Sequence, residues 1–325
     1  MVVSLTADDV ARVATWPLVI EALRAGHRGP RPSIGDTLVG TRDDTMLVRS
    51  AWIEGLAAGV KAATVVPGNA ARDLPTVHAH VMLFDPDDGR LRALVEGGAV
   101  TAWKTAADSA LGADLLARPD VETLAMIGAG AMAEPLVRAH LHVRPSLRRI
   151  TIWNRTREKA ERLAERLGGT GLTVTVAGTV EEAVRAGDVV SVATMSAEPV
   201  IRGEWLARGA HLDLVGAFRP DMREADDAAL ATSELFVDSF DTTLDHIGEL
   251  RIPLAEGTIA RGDVRGDLHD LVAGRARRSG PDARTLFKNG GGAHLDVMVS
   301  DALVAAASDT KVSHAAPKAT QTPQE

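Results

Sequence analysis

The sequence predicts an α/β fold built around a doubly wound parallel sheet, preceded by a second, strand-rich domain. From Val121 to about Val237, apolar strand-like runs alternate with helical patterns. This alternation is typical of a parallel sheet that is covered by helices on both faces. From Gly29 to Asp85, short strand-like runs are separated by turn signals instead, which indicates a different kind of domain.

Composition limits the class of protein. The 325 residues are 45% hydrophobic and 25% charged, which suits a globular chain of two domains. A net charge of −8 leaves no basic surface for nucleic acid. The lack of cysteine and tyrosine excludes disulfides, thiolate catalysis and a phenolic acid or base. The sequence shows no signal peptide and no membrane-spanning run, so we expect a cytoplasmic protein with no membrane partner.

The first half is predicted from caps and turns. Thr6 and Asp9 form a capping-box pattern that opens a helix. A second helix begins at Trp16, and Gly26 is its expected end. The strands predicted next are 36–40, 45–51, 58–66, 77–84 and 90–96, and a helix follows at 100–116.

The second half is predicted from its alternating pattern. Its strands are 123–127, 150–153, 173–176, 189–193, 210–215 and 234–237, and its helices include 134–142, 157–167 and 180–186. Thr285 to Gly292 introduces a final helix at 293–307. The polar residues 309–325 are expected to form a disordered tail.

A glycine motif stands at the first strand of the alternating region. The run that ends at Ile127 leads into Gly128-Ala129-Gly130-Ala131-Met132-Ala133. Gly128 permits a tight turn, Gly130 lets the backbone approach a pyrophosphate, and the small Ala133 lets helix and strand pack closely. The loop residues Gly128, Gly130, Ala131 and Met132 are therefore the candidate phosphate site, in front of the helix N-terminus.

The end of the next strand indicates which dinucleotide is bound. Enzymes specific for NAD usually carry Asp or Glu there, whereas this chain has Asn154, Arg155 and Thr156. Without a carboxylate a 2′-phosphate is not repelled, and a guanidinium can form a fork with it. We therefore favour NADP(H), with NAD(H) as a possible second cofactor. The alternative is that Arg155 is a solvated residue and Thr156 only an N-cap.

Ordered motifs extend from about Arg31 to Ala307. They are Gly59-Val60-Lys61, Pro67-Gly68-Asn69, Leu74-Pro75-Thr76-Val77, Thr101-Ala102-Trp103-Lys104-Thr105, Trp153-Asn154-Arg155-Thr156, Gly216-Ala217-Phe218-Arg219-Pro220-Asp221 and Leu286-Phe287-Lys288. In these motifs the chain resembles the ornithine cyclodeaminase/mu-crystallin family. The resemblance implies a Rossmann NAD(P)-binding domain at 113–293 and an α+β substrate-binding and dimerisation domain at 1–112 with 294–308. It also implies a homodimer that passes hydride to or from the α-carbon of an amino or imino acid.

Lys61 resembles the family's substrate lysine, and its own setting supports a charged role. It shares a predicted strand face with Gly59 and other small or apolar residues, where a bare ammonium is unfavourable. A substrate carboxylate could be the charge partner of the Lys61 ammonium, or a substrate imine could be the group that Lys61 protonates. The alternative is an edge-strand lysine with its head in water. Arg31 resembles the arginine that holds the substrate carboxylate, with Arg42 and Arg49 as alternatives.

Other site residues are carried over from the same resemblance. Lys104 replaces an arginine that contacts substrate and cofactor phosphates, so it keeps the charge but loses the bidentate fork. Lys288 and Asn289 with the glycines that follow are expected either to close over the cofactor or to act as a hinge. The implied cofactor residues are Thr76, Lys104, Thr194, Met195, Val215, Gly216 and Asn289, and the implied substrate residues are Arg31, Lys61, Lys104, Phe218 and Gly290.

Phe218 indicates the direction of the reaction. Family members that oxidise amino acids carry a catalytic aspartate directly after Gly-Gly or Gly-Ala, where this chain has Gly216-Ala217-Phe218. Phenylalanine cannot take protons from an amine, whereas reduction of an existing C=N bond needs only hydride and a proton. We therefore favour an NADPH-dependent reductase of 2-imino acids such as pyrroline-2-carboxylate or piperideine-2-carboxylate. The alternatives are an ornithine or lysine cyclodeaminase or amino-acid dehydrogenase, and a non-catalytic NADPH-binding protein of the crystallin kind.

Four histidines are assigned no catalytic role. His78 and His80 share a predicted strand face, but no third ligand is evident, so no metal site is predicted. His140 and His142 fall on the first helix of the alternating region and are expected to face solvent.

Overall fold

The fold was described from a computed structural model that covers residues 2–41, 43–169 and 171–309. These residues divide into two compact units. The first contains the described residues of 1–22, 32–101 and 293–325, and the second contains 23–31 and 102–292. The units differ from the expected domains in two ways. Residues 23–31 belong to the second unit, and the other boundaries fall at 101/102 and 292/293 rather than at 112/113 and 293/294. The boundary at 101/102 lies inside a continuous helix, so no linker composition marks it.

A six-stranded sheet forms the centre of the first unit. Its strand order is β1-β6-β5-β4-β3-β2, with an antiparallel meander from β2 to β6 and β1 parallel to β6. The strands are β1 Val3–Leu5, β2 Ser33–Gly40, β3 Thr45–Ile53, β4 Ala57–Val65, β5 Val77–Phe84 and β6 Leu91–Glu96. The five predicted strands are thus present, and β1 was not predicted.

Three helices lie at the two ends of the described chain, and the second of them passes from the first unit into the second. Helix α1, Ala7–Val13, begins at the Thr6 capping box with Asp9. Helix α2, Trp16–Arg28, continues through Gly26, so that glycine does not end it. The last helix, α11, Ala293–Asp309, extends past the predicted end, and residues 310–325 lie outside the described chain.

Helix α11 packs on one face of the sheet. A Cβ placed on Gly59 would lie 2.5 Å from Val297 Cγ2, so the glycine permits close approach of the helix. Residues two apart on a strand share a face, and Lys61 therefore points to the same side as Gly59. The Lys61 side chain therefore lies between the sheet and α11 and is not directed to solvent.

An eight-stranded parallel sheet forms the second unit and confirms the predicted α/β class. Its order is β13-β12-β14-β11-β10-β7-β8-β9. The strands are β7 Thr123–Ile127, β8 Arg149–Trp153, β9 Thr173–Val176, β10 Val189–Val192, β11 His211–Leu214, β12 Glu234–Val237, β13 Val264–Gly266 and β14 Thr285–Lys288. The helices are α3 Gly97–Leu116, α4 Ala133–Val143, α5 Arg157–Leu167, α6 Val180–Ala186, α7 Asp227–Ala231, α8 Phe240–Thr243, α9 Gly248–Glu256 and α10 Leu268–Val272. Helix α3 begins in the first unit and continues into the second.

Strand β14 is the main departure from the predicted order. Residues 285–292 were expected only to introduce the last helix, but Thr285–Lys288 lies between β11 and β12 as an interior strand. Its four residues are fully buried on both faces, as interior parallel strands require. A run this short gives no periodic signal in the sequence.

Among the described residues, no helix combines the length and apolar character needed to cross a membrane.

Candidate active site

The glycine loop after β7 has the geometry that its sequence predicts. Gly128 adopts φ +105°, and a Cβ there would lie 2.5 Å from the Ala193 carbonyl oxygen. Glycine is therefore needed both for the backbone angle and for the space. A Cβ on Gly130 would meet no atom within 4 Å, so this side of the loop is open in front of helix α4.

Asn154 at the end of β8 links the second strand to the glycine loop. Its Oδ1 accepts a hydrogen bond from the Ala129 amide at 3.0 Å, and its Nδ2 donates to the Thr156 carbonyl at 2.8 Å. Arg155 and Thr156 are exposed, and Thr156 is the N-cap of α5 without a side-chain capping bond. The two side chains expected to meet a 2′-phosphate are thus accessible, while Asn154 orders the loop.

The ends of β10 and β11 lie beside each other through Thr194 and Gly216. A Cβ on Gly216 would lie 1.6 Å from the Thr194 carbonyl oxygen, so only glycine fits. Met195, the neighbour of Thr194, is 78% exposed. The backbone amides of Thr194 and Gly216 both donate to the carboxylate of Glu224, a residue that the sequence did not single out.

Phe218 follows β11 on an exposed loop. Its side chain is 58% exposed, and the Arg219 guanidinium carbon lies 5.9 Å from the ring centroid. Asp221, the nearest carboxylate in sequence, accepts hydrogen bonds from Arg219 at 3.0 and 3.2 Å. Arg219 holds the pKa of Asp221 below its usual value. Asp221 therefore stays an ionised surface partner of arginine rather than a base beside Gly216.

Lys61 is paired inside the first unit. Its ammonium donates to Asp296 Oδ1 at 2.9 Å and to the Thr101 hydroxyl oxygen. The Lys61 side chain is 11% exposed and that of Asp296 is 1% exposed. This geometry excludes the alternative of an edge-strand lysine in water, because β4 is an interior strand. It also supplies the carboxylate partner that was expected from a substrate.

Two arginines were candidates for the substrate carboxylate, besides Arg42, which lies outside the described residues. Arg49 stands directly across from Lys61 in the β3–β4 ladder, so the two side chains share a sheet face. Its guanidinium donates to Asp36 at 2.9 Å. Arg31 pairs instead with the fully buried Asp267, with one bond at 3.1 Å. The predicted role of Arg31 stays a prediction, but its fork already holds a carboxylate.

Lys104 is nearly fully buried in α3, at 5% exposure. A Cβ on Gly291 would lie 2.8 Å from the Lys104 ammonium nitrogen. Burial raises the pKa of Asp108 well above its usual value, reinforced by Asp238 and opposed by the Lys104 charge. Lys104 thus belongs to a buried cluster of charged side chains. The sequence predicted that Lys104 contacts phosphate, but it did not predict this cluster.

The segment 288–290 is held by hydrogen bonds to residues elsewhere in the second unit. Lys288 is fully buried and donates to the Leu214 carbonyl at 3.0 Å. The side chain of Asn289 donates to the Thr105 carbonyl at 2.9 Å and to Ser109 Oγ at 3.0 Å. The Gly290 amide donates to Asp238 Oδ2 at 2.9 Å. The Lys288 side chain is therefore part of the core, and the closure or hinge role of this segment stays a prediction.

The structure also gives the positions of Thr76 and of the two histidines of helix α4. Thr76 is exposed before β5, and its carbonyl accepts from the Val66 amide at 2.8 Å. His142 is exposed, as predicted. The prediction that His140 faces solvent is wrong, because His140 is buried and its Nε2 lies 3.2 Å from Asp213 Oδ2. Within residues 2–41, 43–169 and 171–309, no group of three acidic or histidine side chains is arranged to hold a metal ion.

The glycine loop, the parallel sheet and a buried lysine on a separate sheet define an oxidoreductase that uses a nicotinamide dinucleotide. The chain belongs to the ornithine cyclodeaminase/mu-crystallin family, whose model matches residues 10–311. It is an NAD(P)-dependent oxidoreductase of the group that acts on C–N bonds.

Individual relatives agree with this class. The chain is 50% identical over 297 residues to a Delta(1)-pyrroline-2-carboxylate reductase of Paracoccus denitrificans, covering 91% of this chain and 94% of the relative. The Thermococcus litoralis Delta(1)-pyrroline-2-carboxylate reductase, solved with NADH and L-proline, superposes with a TM-score of 0.90 at 28% identity, covering 97% of this chain and all of that one. An archaeal alanine dehydrogenase dimer with bound NAD gives a TM-score of 0.90 at 25% identity, covering 96% and 98%.

Proposed function

We propose that this chain reduces cyclic 2-imino acids, such as pyrroline-2-carboxylate and piperideine-2-carboxylate, to L-amino acids, with NADPH as the preferred reductant. The observation that carries the proposal is the loop after β11. Phe218 stands where deaminating relatives are expected to carry an aspartate, and Asp221 is bound to Arg219. A loop without an available base suits reduction of an existing C=N bond and not removal of protons from an amine.

The reaction needs one hydride and one proton. The C=N π bond breaks as a reduced nicotinamide, when bound, supplies hydride to carbon, and nitrogen takes a proton. Lys61 is the candidate proton donor, because its ammonium is held by Asp296 and Thr101 within the interior of the first unit. Thr101 and Asp296 orient the ammonium, so that its remaining N–H bond can be directed at a substrate atom.

Arg49 is the arginine that the geometry favours for the substrate carboxylate. It shares the sheet face of Lys61, and its present partner, Asp36, is 46% exposed at the side chain. An exposed pair of this kind contributes little to stability, so exchange of Asp36 for a substrate carboxylate costs little. Arg31 would instead have to give up the buried Asp267, which is expensive because it leaves a buried charge unpaired.

The cofactor preference rests on the end of β8. No acidic side chain occupies positions 154–156, and Arg155 and Thr156 are exposed there. The solved relatives hold NADH or NAD, so NADPH preference is the finer and separately testable part of the proposal. An exposed guanidinium beside the ribose site favours the 2′-phosphate through a charge-assisted hydrogen bond.

A homodimer is part of the proposal. The exposed large apolar side chains of the first unit include Leu38, Val39, Met46, Trp52 and Val77, all on or beside its sheet. Apolar strands left in water favour association or aggregation. A similar fold, the archaeal alanine dehydrogenase, is described as a dimer.

The test is a comparison of substrates with the purified chain. Oxidation of NADPH is followed with pyrroline-2-carboxylate and piperideine-2-carboxylate, and ammonia release from ornithine and lysine is followed in the other direction. We expect rapid imine reduction and scarcely any ammonia. Lys61→Ala should lower the reductive rate by about 10²- to 10⁴-fold, the usual effect of losing a general acid. Robust ammonia release from ornithine or lysine would contradict the proposal.

A further inference from the structure

Glu224 joins the ends of two neighbouring strands in the second unit. Its Oε1 accepts from the Thr194 amide at 2.7 Å and from the Thr194 hydroxyl at 2.8 Å. Its Oε2 accepts from the amides of Gly216 at 2.6 Å and Ala217 at 3.2 Å. One carboxylate therefore spans the segment after β10 and the segment after β11.

The two segments are fixed against each other by this bridge. Gly216 already lies so close to Thr194 that a Cβ would overlap the Thr194 carbonyl oxygen. Close contact alone does not orient two backbones, whereas hydrogen bonds to both oxygens of one carboxylate do. In open α/β sheets, ligands bind beyond the carboxyl ends of the strands, which is where Thr194 and Gly216 lie.

Glu224 is fully buried, and its charge has defined neighbours. Lys288 in β14 and Glu249 in α9 act on this charge with opposite signs: Lys288 lowers the pKa of Glu224 and Glu249 raises it. Glu249 lies behind it, accepting from the amides of Glu224 at 2.7 Å and Ala225 at 3.0 Å. Burial raises the pKa of Glu224 to about 7, against the opposing effect of Lys288.

We propose that Glu224 is a positioning residue for the nicotinamide end of the cofactor: its carboxylate holds the Thr194 and Gly216 segments in the arrangement that receives the ring. The inference rests on the proposed nicotinamide site at these strand ends. It adds a residue that touches neither substrate nor cofactor and acts through the backbone of both segments.

Protonation of Glu224 should loosen the bridge. The amides of Thr194, Gly216 and Ala217 are donors and cannot accept a carboxyl proton, whereas the Thr194 hydroxyl can. A protonated Glu224 that donates to this hydroxyl has lost its charge, so its bonds from the three amides are no longer charge-assisted and become weaker. The ionised form therefore binds the two segments best. Cofactor affinity should fall as the pH drops through about 7, the pKa of Glu224.

The experiment is a fluorescence titration with NADH between pH 6 and 8. NADH is used because the 2′-phosphate of NADPH titrates in the same range, near pH 6. For the wild type we expect the Kd to increase several-fold from pH 8 to pH 6. Glu224→Gln should weaken NADH binding at least tenfold at pH 8, equivalent to about 1.4 kcal/mol, and should remove most of the pH dependence.

Glu249→Gln is the matched control, because it removes a buried carboxylate that also binds backbone amides but leaves the contacts to Thr194 and Gly216 in place. Its Kd at pH 8 should stay within about threefold of the wild-type value. The fall in affinity with pH should remain but move to lower pH, because loss of the Glu249 charge lowers the pKa of Glu224. Glu224→Asp keeps the charge but is too short to span both segments, so it should also weaken binding and serves if the glutamine variant does not fold. Unchanged NADH affinity in the folded Glu224 variants, or an equal loss in Glu249→Gln, would overturn the inference. A wild type that binds NADH as expected but reduces no imine would refute only the proposed reaction.

Discussion

Among single residues, the buried ammonium of Lys61 has a partner from a distant part of the chain. Lys61 and Asp296 are 235 positions apart, yet their charged atoms lie 2.9 Å apart. Removing two charges from water is costly, and the cost is met only when both are paired with good geometry. The pair therefore places a charged donor in the sheet interior.

Asp296→Asn tests the energetic side of this pairing. The variant leaves the Lys61 charge largely buried without its carboxylate, so we expect the free energy of unfolding to fall by about 3–5 kcal/mol. Chemical denaturation measures it. Asp88→Asn is the control, because Asp88 pairs with the exposed Arg90 and should cost less than about 1 kcal/mol. Equal effects of the two substitutions would show that Lys61 needs no buried partner.

Arg155→Ala tests the cofactor preference at the same scale. The wild type should bind NADPH at least tenfold more tightly than NADH, or about 1.4 kcal/mol, since one charge-assisted contact to the 2′-phosphate is enough to supply this difference. The substitution should remove most of that gap and leave NADH affinity unchanged. Fluorescence titration with both cofactors measures the result. Equal or tighter NADH binding by the wild type would rule out the preference.

Several site residues could be found from the sequence and others could not. The glycines at 128 and 130 were predicted because a fixed local pattern imposes their backbone geometry. Glu224 and Asp296 were missed, because their contacts join distant segments and a carboxylate that binds amides or a lysine has no local signature. Lys104 was predicted as a charged site residue and Lys288 as part of a closing or hinge segment. The burial of both side chains was not predicted, because it depends on how α3 and β14 pack.

At the scale of elements, helix α2 contains a titratable group that should link stability to pH. His27 is buried near its end, and its Nδ1 lies 2.7 Å from the Leu23 carbonyl oxygen. Burial lowers the pKa of His27 to about 4, with the nearby His269 contributing in the same direction. The unfolded chain takes up this proton near pH 6.5. The stability due to neutral His27 is therefore complete above pH 6.5 and is lost as the pH falls toward 4.

His27→Gln should flatten this pH dependence. Between pH 6.5 and 5 the wild type should lose about 2 kcal/mol through His27, at about 1.4 kcal/mol per pH unit. In urea unfolding over the same pH range, the free energy of unfolding of the variant should fall by about 2 kcal/mol less than that of the wild type. His142→Gln, at an exposed position, should behave as the wild type does. A variant with the wild-type slope would show that His27 is not held neutral by the fold.

Elements were predicted where turn residues or a regular alternation of strands and helices marked them, and they were missed where neither was present. Strands β2 to β6 were found because turn residues separate them, and helices α5 and α6 matched their predicted bounds. Strands β1, β13 and β14 were missed. They contain three or four residues each, too few to show a period, and they lie outside the region of alternating strands and helices in which the equally short β9 to β12 were recognised. The predicted boundary at 112/113 lies further along α3 than the boundary between the two units at 101/102. A continuous helix gives no break in composition that would mark it.

At the scale of the whole molecule, the exposed apolar side chains around β2 and β3 should be covered by a second copy. We expect a dimer by light scattering or sedimentation. Trp52→Asp, at a position that is 53% exposed, should shift it toward monomer, because a charge in an apolar interface is left unpaired. Val2→Asp, beside the opposite edge strand β1, should leave the dimer intact. An active wild-type monomer at all concentrations would contradict this assembly.

In the proposed reaction, hydride reaches the carbon of a C=N bond. The most direct measurement is the fate of deuterium from NADPH labelled at the transferable C4 position, with pyrroline-2-carboxylate as substrate and mass spectrometry of the product. We expect one deuterium at the α-carbon of L-proline for each NADPH oxidised, and no label in the product from the Lys61→Ala variant over the same time. NADPH oxidation without deuterium in proline, or no oxidation with any 2-imino acid, would contradict the account.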